Sequence, residues 1–173
     1  MIYAIREGLV VIKTANHQAS FSKKEFSKEL LASDILEDLS FNDLQKIWNE
    51  LHGIPNNIKA LLLRKIELYR SSSAVKSFIY NNREYWIDKN NRTSLLNVCN
   101  FNLGDVDLVL GDQVVSLPST QLKTFLLKLE SYACKCFVNA SKHLVEASKL
   151  ESIEDIINYD YTTGYPEKIV LQD

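Results

Sequence analysis

PSTQLKTFLLKLESYACKCFVNASKHLVEASKL, Pro118 to Leu150, is the longest regular stretch of the chain, and its reading decides the fold. Its apolar side chains Leu122, Phe125, Leu126, Leu129, Ala133, Cys136, Phe137, Ala140, Leu144 and Ala147 recur at steps of three and four. That spacing puts them on one stripe of a helix. At about 1.5 Å per residue the segment makes a helix of roughly eight turns, long enough to serve as the spine of a core.

The flanking segments are shorter and mixed in type. Just upstream, Val106–Leu110 and Gln113–Leu117 are strand-like runs around Gly111-Asp112, which predicts a hairpin. A second hairpin is predicted from Ser77-Phe78-Ile79-Tyr80 and Glu84-Tyr85-Trp86-Ile87, since Asn81-Asn82-Arg83 between them offers asparagines that tolerate the left-handed conformation. Asp88 then caps a short helix running to about Val98, and Ser119 or Thr120 caps the long one. Downstream, Ser152 and Asp155 start a further helical turn carrying Ile153, Ile156 and Ile157, and Lys168 to Leu171 reads as a last strand.

The N-terminal third begins with a hairpin, Ile2–Ile5 and Leu9–Ile12 around Arg6-Glu7-Gly8. Ser22 with Glu25 is a capping-box pattern for a helix Lys23–Leu36, and Phe21 and Phe26 are spaced as a hydrophobic staple. Ser40 with Asp43 repeats the pattern, with Leu39 placed to meet Leu44, for a helix Phe41–His52 stopped by Gly53 and Pro55. Asn56 or Asn57 caps a third helix to about Tyr69, whose buried stripe is Ile58, Leu61, Leu62, Ile66 and Tyr69. The whole predicts an α+β chain in two parts. Residues 1–53 form a hairpin and two-helix module, and residues 56–173 form a domain with two hairpins on the long helix, at about 119–150.

At 173 residues the chain can form a core without disulfide or metal staples. Its 46% hydrophobic and 24% charged residues exclude disordered and collagen-like classes. The net charge of −2, with both signs interspersed, offers no footprint for nucleic acid, and no membrane partner is expected. The apolar N-terminal run is broken by Arg6 and Glu7 and is too short for a signal peptide or a span. Cys134 and Cys136 turn to nearly opposite sides of a helix, so they cannot share a metal or a disulfide, which suits free thiols made in a cytoplasm.

Candidate chemistry is sparse. His17, His52 and His143 stand apart from one another and from any metal-ligand spacing, and the five glycines mark turns rather than a phosphate loop. Cys136 and His143 lie two helical turns apart, too far for a thiol–imidazole pair. Asp88 and Arg92 admit an enzymatic reading, a carboxylate oriented by a guanidinium, but the favoured one is a capping Asp88 paired with Arg92, with Trp86 anchoring the preceding strand in the core. A deep pocket lined by Asp88, Arg92 and His143 together would favour catalysis. No catalytic, cofactor-binding or metal-ligating residue is assigned. The candidate partner-binding residues are Tyr3 and Val10 on the N-terminal strands and Tyr159, Tyr161 and Tyr165 near the C-terminus, with the competing reading that these last tyrosines close the fold against the long helix.

Several motifs in the later part of the chain carry a resemblance. They are Tyr69-x-Ser71-Ser72-x-Ala74-Val75-x-Ser77-Phe78, then Trp86-Ile87-Asp88-Lys89-x-x-Arg92, then Leu129-x-x-Tyr132-Ala133-x-x-Cys136 with His143. The most specific is Ile153-Glu154-x-Ile156-x-x-Tyr159-Asp160-Tyr161-Thr162-Thr163-Gly164-Tyr165-Pro166-Glu167-Lys168. Over roughly residues 63–171 the chain resembles a domain of unknown function found in phage and prophage proteins of Bacteroides-type bacteria, the hosts of crAss-like phages. Trp86, Asp88, Arg92, Gly164 and Pro166 are motif residues of structural type.

The resemblance carries no activity or cofactor to transfer. It implies a non-enzymatic virion structural protein, a small building block or adaptor of a head, head fibre or tail. Such a protein would be made in the host cytoplasm and incorporated into the virion, with other phage structural proteins and itself as partners in a homo-oligomer. The alternative is an intracellular phage effector or morphogenesis factor that binds a host or phage protein and is not retained in the particle. Residues before Gly53 lie outside the resemblance.

Overall fold

The computed structural model describes residues 1–51, 56–101 and 104–171. In chain order its elements are strands β1 (Ile2–Arg6), β2 (Leu9–Lys13) and β3 (Gln18–Ser22), then helix α1 (Phe26–Leu31), a 3-10 turn (Asp34–Asp38), α2 (Phe41–Glu50) and α3 (Ile58–Ser71). There follow β4 (Phe78–Tyr80), β5 (Arg83–Tyr85), α4 (Lys89–Asn100), β6 (Asp105–Leu110), β7 (Gln113–Pro118), α5 (Ser119–Lys149) and α6 (Ile153–Asn158). The fold is α+β, and the long helix forms over the predicted span. The chain divides into two compact units, Met1–Tyr69 with Ala140–Thr163, and Arg70–Asn139 with Gly164–Asp173.

That division differs from the expected break near Gly53. The reason lies in α3, whose buried Ile58, Leu61, Leu62 and Ile66 share one core cluster with Val10, Leu44 and Trp48 of the N-terminal elements and with Ala147 and Ile156. A helix stop in the sequence can end an element without ending a core. His52 and the expected Gly53–Pro55 stop lie outside the described residues.

In the first unit the N-terminal hairpin is joined by a third strand to give an antiparallel sheet in the order β1-β2-β3. Glu7 and Gly8 both take positive φ, the left-handed pair that a tight hairpin turn demands. The expected capping box at Ser22 does not form. Ser22 ends β3, its N–H donates to Glu29 Oε2 at 2.6 Å, α1 is short, and Ser33 caps the 3-10 turn instead. Register explains the override: Phe21 is buried opposite buried Val10, and a strand ladder with a core-facing aromatic outweighs one cap. Phe21 and Phe26 still meet, edge to face at 5.6 Å.

At α2 the Ser40–Asp43 capping box forms in both directions, and Phe41, Leu44, Ile47 and Trp48 are buried. Asn57 precedes α3, and its side-chain amide donates to the Ser27 carbonyl at 3.1 Å. One buried residue of α3 breaks the apolar stripe: the Lys65 ammonium donates to the carbonyls of Leu36 and Leu39, closing the end of the 3-10 turn. α6 starts at Ser152, as its sequence predicts, and buries Ile156.

The second unit holds two hairpins. Asn81 and Asn82, at φ 48° and 59°, make the β4–β5 turn alone, so Arg83 belongs to the strand. β6 and β7 pair through Gly111-Asp112, with Val106, Leu108, Leu110, Val115 and Leu117 turned inward. The expected last strand is reduced to one parallel bridge, Val170 beside Ile79, held by two backbone hydrogen bonds of 2.9 Å. α5 packs Leu122, Phe125, Leu126 and Leu129 into this unit, and Phe125 meets Phe78 at 5.0 Å. Phe137, expected on the buried stripe, is 59% exposed, and the Arg70 guanidinium lies 5.7 Å from its ring centre.

Candidate functional site

Asp88, Arg92 and Trp86 come together in the second unit, where the expected Asp88 cap forms but the expected Asp88–Arg92 pair does not. Asp88 caps α4 by accepting from the Asn91 N–H at 3.0 Å and from the Asn91 side-chain amide at 2.6 Å. Arg92, one turn on, does not pair with it. Arg92 is 4% exposed, and its Nε donates to Glu130 Oε2 of α5 at 2.7 Å while a terminal nitrogen donates to the Ile87 carbonyl at 2.6 Å. Burying a guanidinium is costly unless it is paired, and here a carboxylate and a carbonyl take two of its N–H donors.

Trp86 is half-buried rather than a core anchor, because its indole faces a cleft, with the Arg92 guanidinium 5.1 Å above the ring and Tyr132 edge-on at 6.5 Å. The cleft measures about 580 Å³ and lies wholly within the second unit. Trp86, Asp88, Arg92, Glu130, Cys134 and Phe137 are among its lining residues, and His143 is not. Glu130 was missed from sequence because its partner is 38 residues away and no local pattern marks it. Tyr132, whose hydroxyl donates to the Val75 carbonyl at 2.7 Å, carries only its place in the Leu129–Cys136 motif as a signal.

The first unit holds the other candidates. Val10 is fully buried, which corrects its assignment as a partner contact: the strand it occupies turns it into the core. Tyr3 is half-buried, and its hydroxyl donates to Glu50. Tyr159 and Tyr161 pack on the core cluster. The Tyr159 hydroxyl donates to Glu146 Oε2 at 2.9 Å and also lies 2.8 Å from His143 Nδ1, while His143 Nε2 is 3.0 Å from the Thr163 carbonyl. His143 is thus a buried junction that ties the segment after α6 to α5, a role its isolation in sequence conceals.

Tyr161 meets Tyr69 edge to face at 5.6 Å, and burial pushes its phenol up to about 12. In the second unit, Tyr165 and Pro166 are half-buried, and Gly164 takes φ +75°. These placements set Tyr159 and Tyr161 against the body of the protein, in the geometry of the fold-closing reading.

Two charged groups in the first unit are tuned by their surroundings. Burial pushes the Lys65 ammonium down to about 8, against the pull of Glu37, Asp38 and Asp43. At Asp38 burial pushes the other way, but hydrogen bonds from Thr14, His17 and Asn16 hold the carboxyl below its ordinary value. That carboxylate organises the β2–β3 turn, with His17 Nδ1 at 2.8 Å and the Asn16 amide at 3.0 Å.

Among the described residues no group of three or more His, Cys, Asp or Glu is placed to hold a metal ion. Nor is any described helix long and apolar enough to cross a membrane. The exposed apolar residues are not scattered evenly. Within the second unit Leu127, Cys134 and Val138 are exposed at spacings of seven and four, which lines them along one face of α5, opposite Leu122, Leu129 and Cys136. Val109 and Val114, a cross-strand pair of the β6–β7 hairpin, are 67% and 66% exposed.

No protein-family model, curated protein or solved structure matches the chain.

Proposed function

We propose that the protein is a non-enzymatic building block or adaptor of a phage particle, working through protein–protein contacts in a head, head fibre or tail. The structural observation that supports contact-making is the exposed apolar face of α5 at Leu127, Cys134 and Val138, with the Val109–Val114 pair as a second apolar patch. Apolar side chains grouped in this way mark surfaces that lose water when a partner covers them. The phage setting rests on the resemblance over residues 63–171, above all the motif from Ile153 to Lys168.

The experiment is quantitative mass spectrometry of purified particles beside lysate of infected cells, counting copies of the chain per particle. A fixed copy number related to particle symmetry supports the reading. Abundance in lysate with absence from particles overturns it and leaves the effector or morphogenesis role.

A further inference from the structure

The cleft of the second unit has two properties that together specify a ligand. Its walls include two aromatic rings, Trp86 and Phe137, each with a guanidinium over one face. Its charges are unevenly committed. Glu130 is paired with the Arg92 guanidinium, and the Asp88 carboxylate keeps its charge but is held by the two Asn91 donors at the cap of α4. Lys76 and Lys89, also on the lining, are exposed and make no ion pair among the described residues. With Arg70, Lys76, Lys89 and Arg92 set against Asp88 and Glu130, the lining is positive on balance, beside a surface that favours a flat apolar body. Its volume of about 580 Å³ lies within the range of small-molecule sites.

We infer that this cleft binds a small aromatic anion, a planar ring joined to a phosphate or carboxylate, with the ring against Trp86 or Phe137 and the anionic group held by Lys76 and Lys89. Neither half suffices. A ring alone leaves the two ammonium groups in water, and a bare anion meets only exposed lysines, where charge attraction is weak and screened. The combination gains from both, since stacking and cation contact act on different parts of one rigid molecule.

Cys134 provides the readout, because it lines the cleft and is the exposed thiol of the three, Cys99 and Cys136 being buried. The test is the rate of Cys134 alkylation by iodoacetamide in the full chain, with Trp86 fluorescence as a second signal. The probes are adenosine monophosphate and phenylacetate for the two anionic groups, with adenosine, toluene and inorganic phosphate as half-ligand controls. The expected result is saturable protection by at least one aromatic anion, at least about tenfold weaker with the matching half-ligands and about tenfold weaker in the Lys76→Gln/Lys89→Gln variant. Which anion protects distinguishes a phosphate-bearing from a carboxylate-bearing ligand. Both lysines are exposed, so the variant keeps its fold, and an unchanged thermal transition checks this. Absence of protection by either anion into the millimolar range overturns the proposal, as does protection by a half-ligand equal to that of its parent or affinity unchanged in the double variant.

Discussion

Gly164 lies so close to Asn139 of α5 that a Cβ added to the glycine would stand 2.8 Å from the asparagine Oδ1. Its φ of +75° adds a second reason for glycine, since side chains rarely tolerate that region. Gly164→Ala should cost about 1–3 kcal/mol in a urea melt, the usual scale for strain at a special backbone position. The cost should fall when Asn139 is also replaced by alanine, leaving the φ penalty alone. Equal costs in both backgrounds would mean that the close approach contributes nothing.

Glu130→Ala should destabilise more than an ordinary surface change, because it strands the buried Arg92 guanidinium. Glu130 is itself half exposed, so water replaces part of the lost contact, and a loss of about 1–3 kcal/mol is expected. Asp88→Asn, by contrast, keeps an amide oxygen able to cap α4 and should stay within about 0.5 kcal/mol of the parent. Chemical denaturation of both variants ranks the two roles, and a larger loss at Asp88 would reverse the assignment.

Tyr161→Ala removes a ring packed on Tyr69 and the first-unit core. Since the ring is half-buried, the expected loss is about 1–3 kcal/mol, below that of a fully buried aromatic. Tyr159→Phe keeps the ring and removes the hydroxyl that meets Glu146 and His143, for about 1 kcal/mol. Full stability in Tyr161→Ala, combined with lost attachment to particles, would return this segment to the interface reading.

Stability should climb with pH on the alkaline side before it falls. Lys65 titrates at about 8 in the fold against 10.5 ordinarily, so between those values the unfolded chain binds the extra proton and folding gains as pH rises. Tyr161 acts oppositely: its phenol is raised from 10.0 to about 12, so its contribution is present below 10 and is lost as pH climbs from 10 to 12. The Lys65 rise begins above about pH 8, by at most about 1.4 kcal/mol per pH unit. Burial also raises the Cys99 and Cys136 thiols above their ordinary 9.0, so they oppose it from about pH 9, and Tyr161 adds to the fall above about pH 10. Denaturation across this range tests it, and Lys65→Met should abolish the rise while leaving the fall.

The β2–β3 turn should loosen in acid. Asp38 is held below its ordinary carboxyl value in the fold, so the stability it contributes is present above that value and is lost as pH falls through the folded one. Asp38→Asn should flatten the acid limb, read as proton exchange of the Asn16 and His17 amides.

Features that depend on neighbours along the chain are legible in the residues alone. The stripe from Leu122 to Ala147 set α5, Asn81-Asn82 and Gly111-Asp112 placed two hairpin turns, and Ser40, Asp88 and Ser152 began their helices where capping chemistry says they should. These rest on backbone geometry and on hydrogen bonds spanning three or four residues, so short patterns suffice to read them. Tertiary structure decided whatever needed a partner far away. Ser22 became the end of a strand because β2 was there to pair with it, and the core of the first unit recruited α3 and the end of α5 across the expected boundary. Arg92 chose Glu130 over Asp88, and Trp86 was left facing a cleft, because burial and charge compensation are settled between elements and leave no mark in the spacing of residues along one of them.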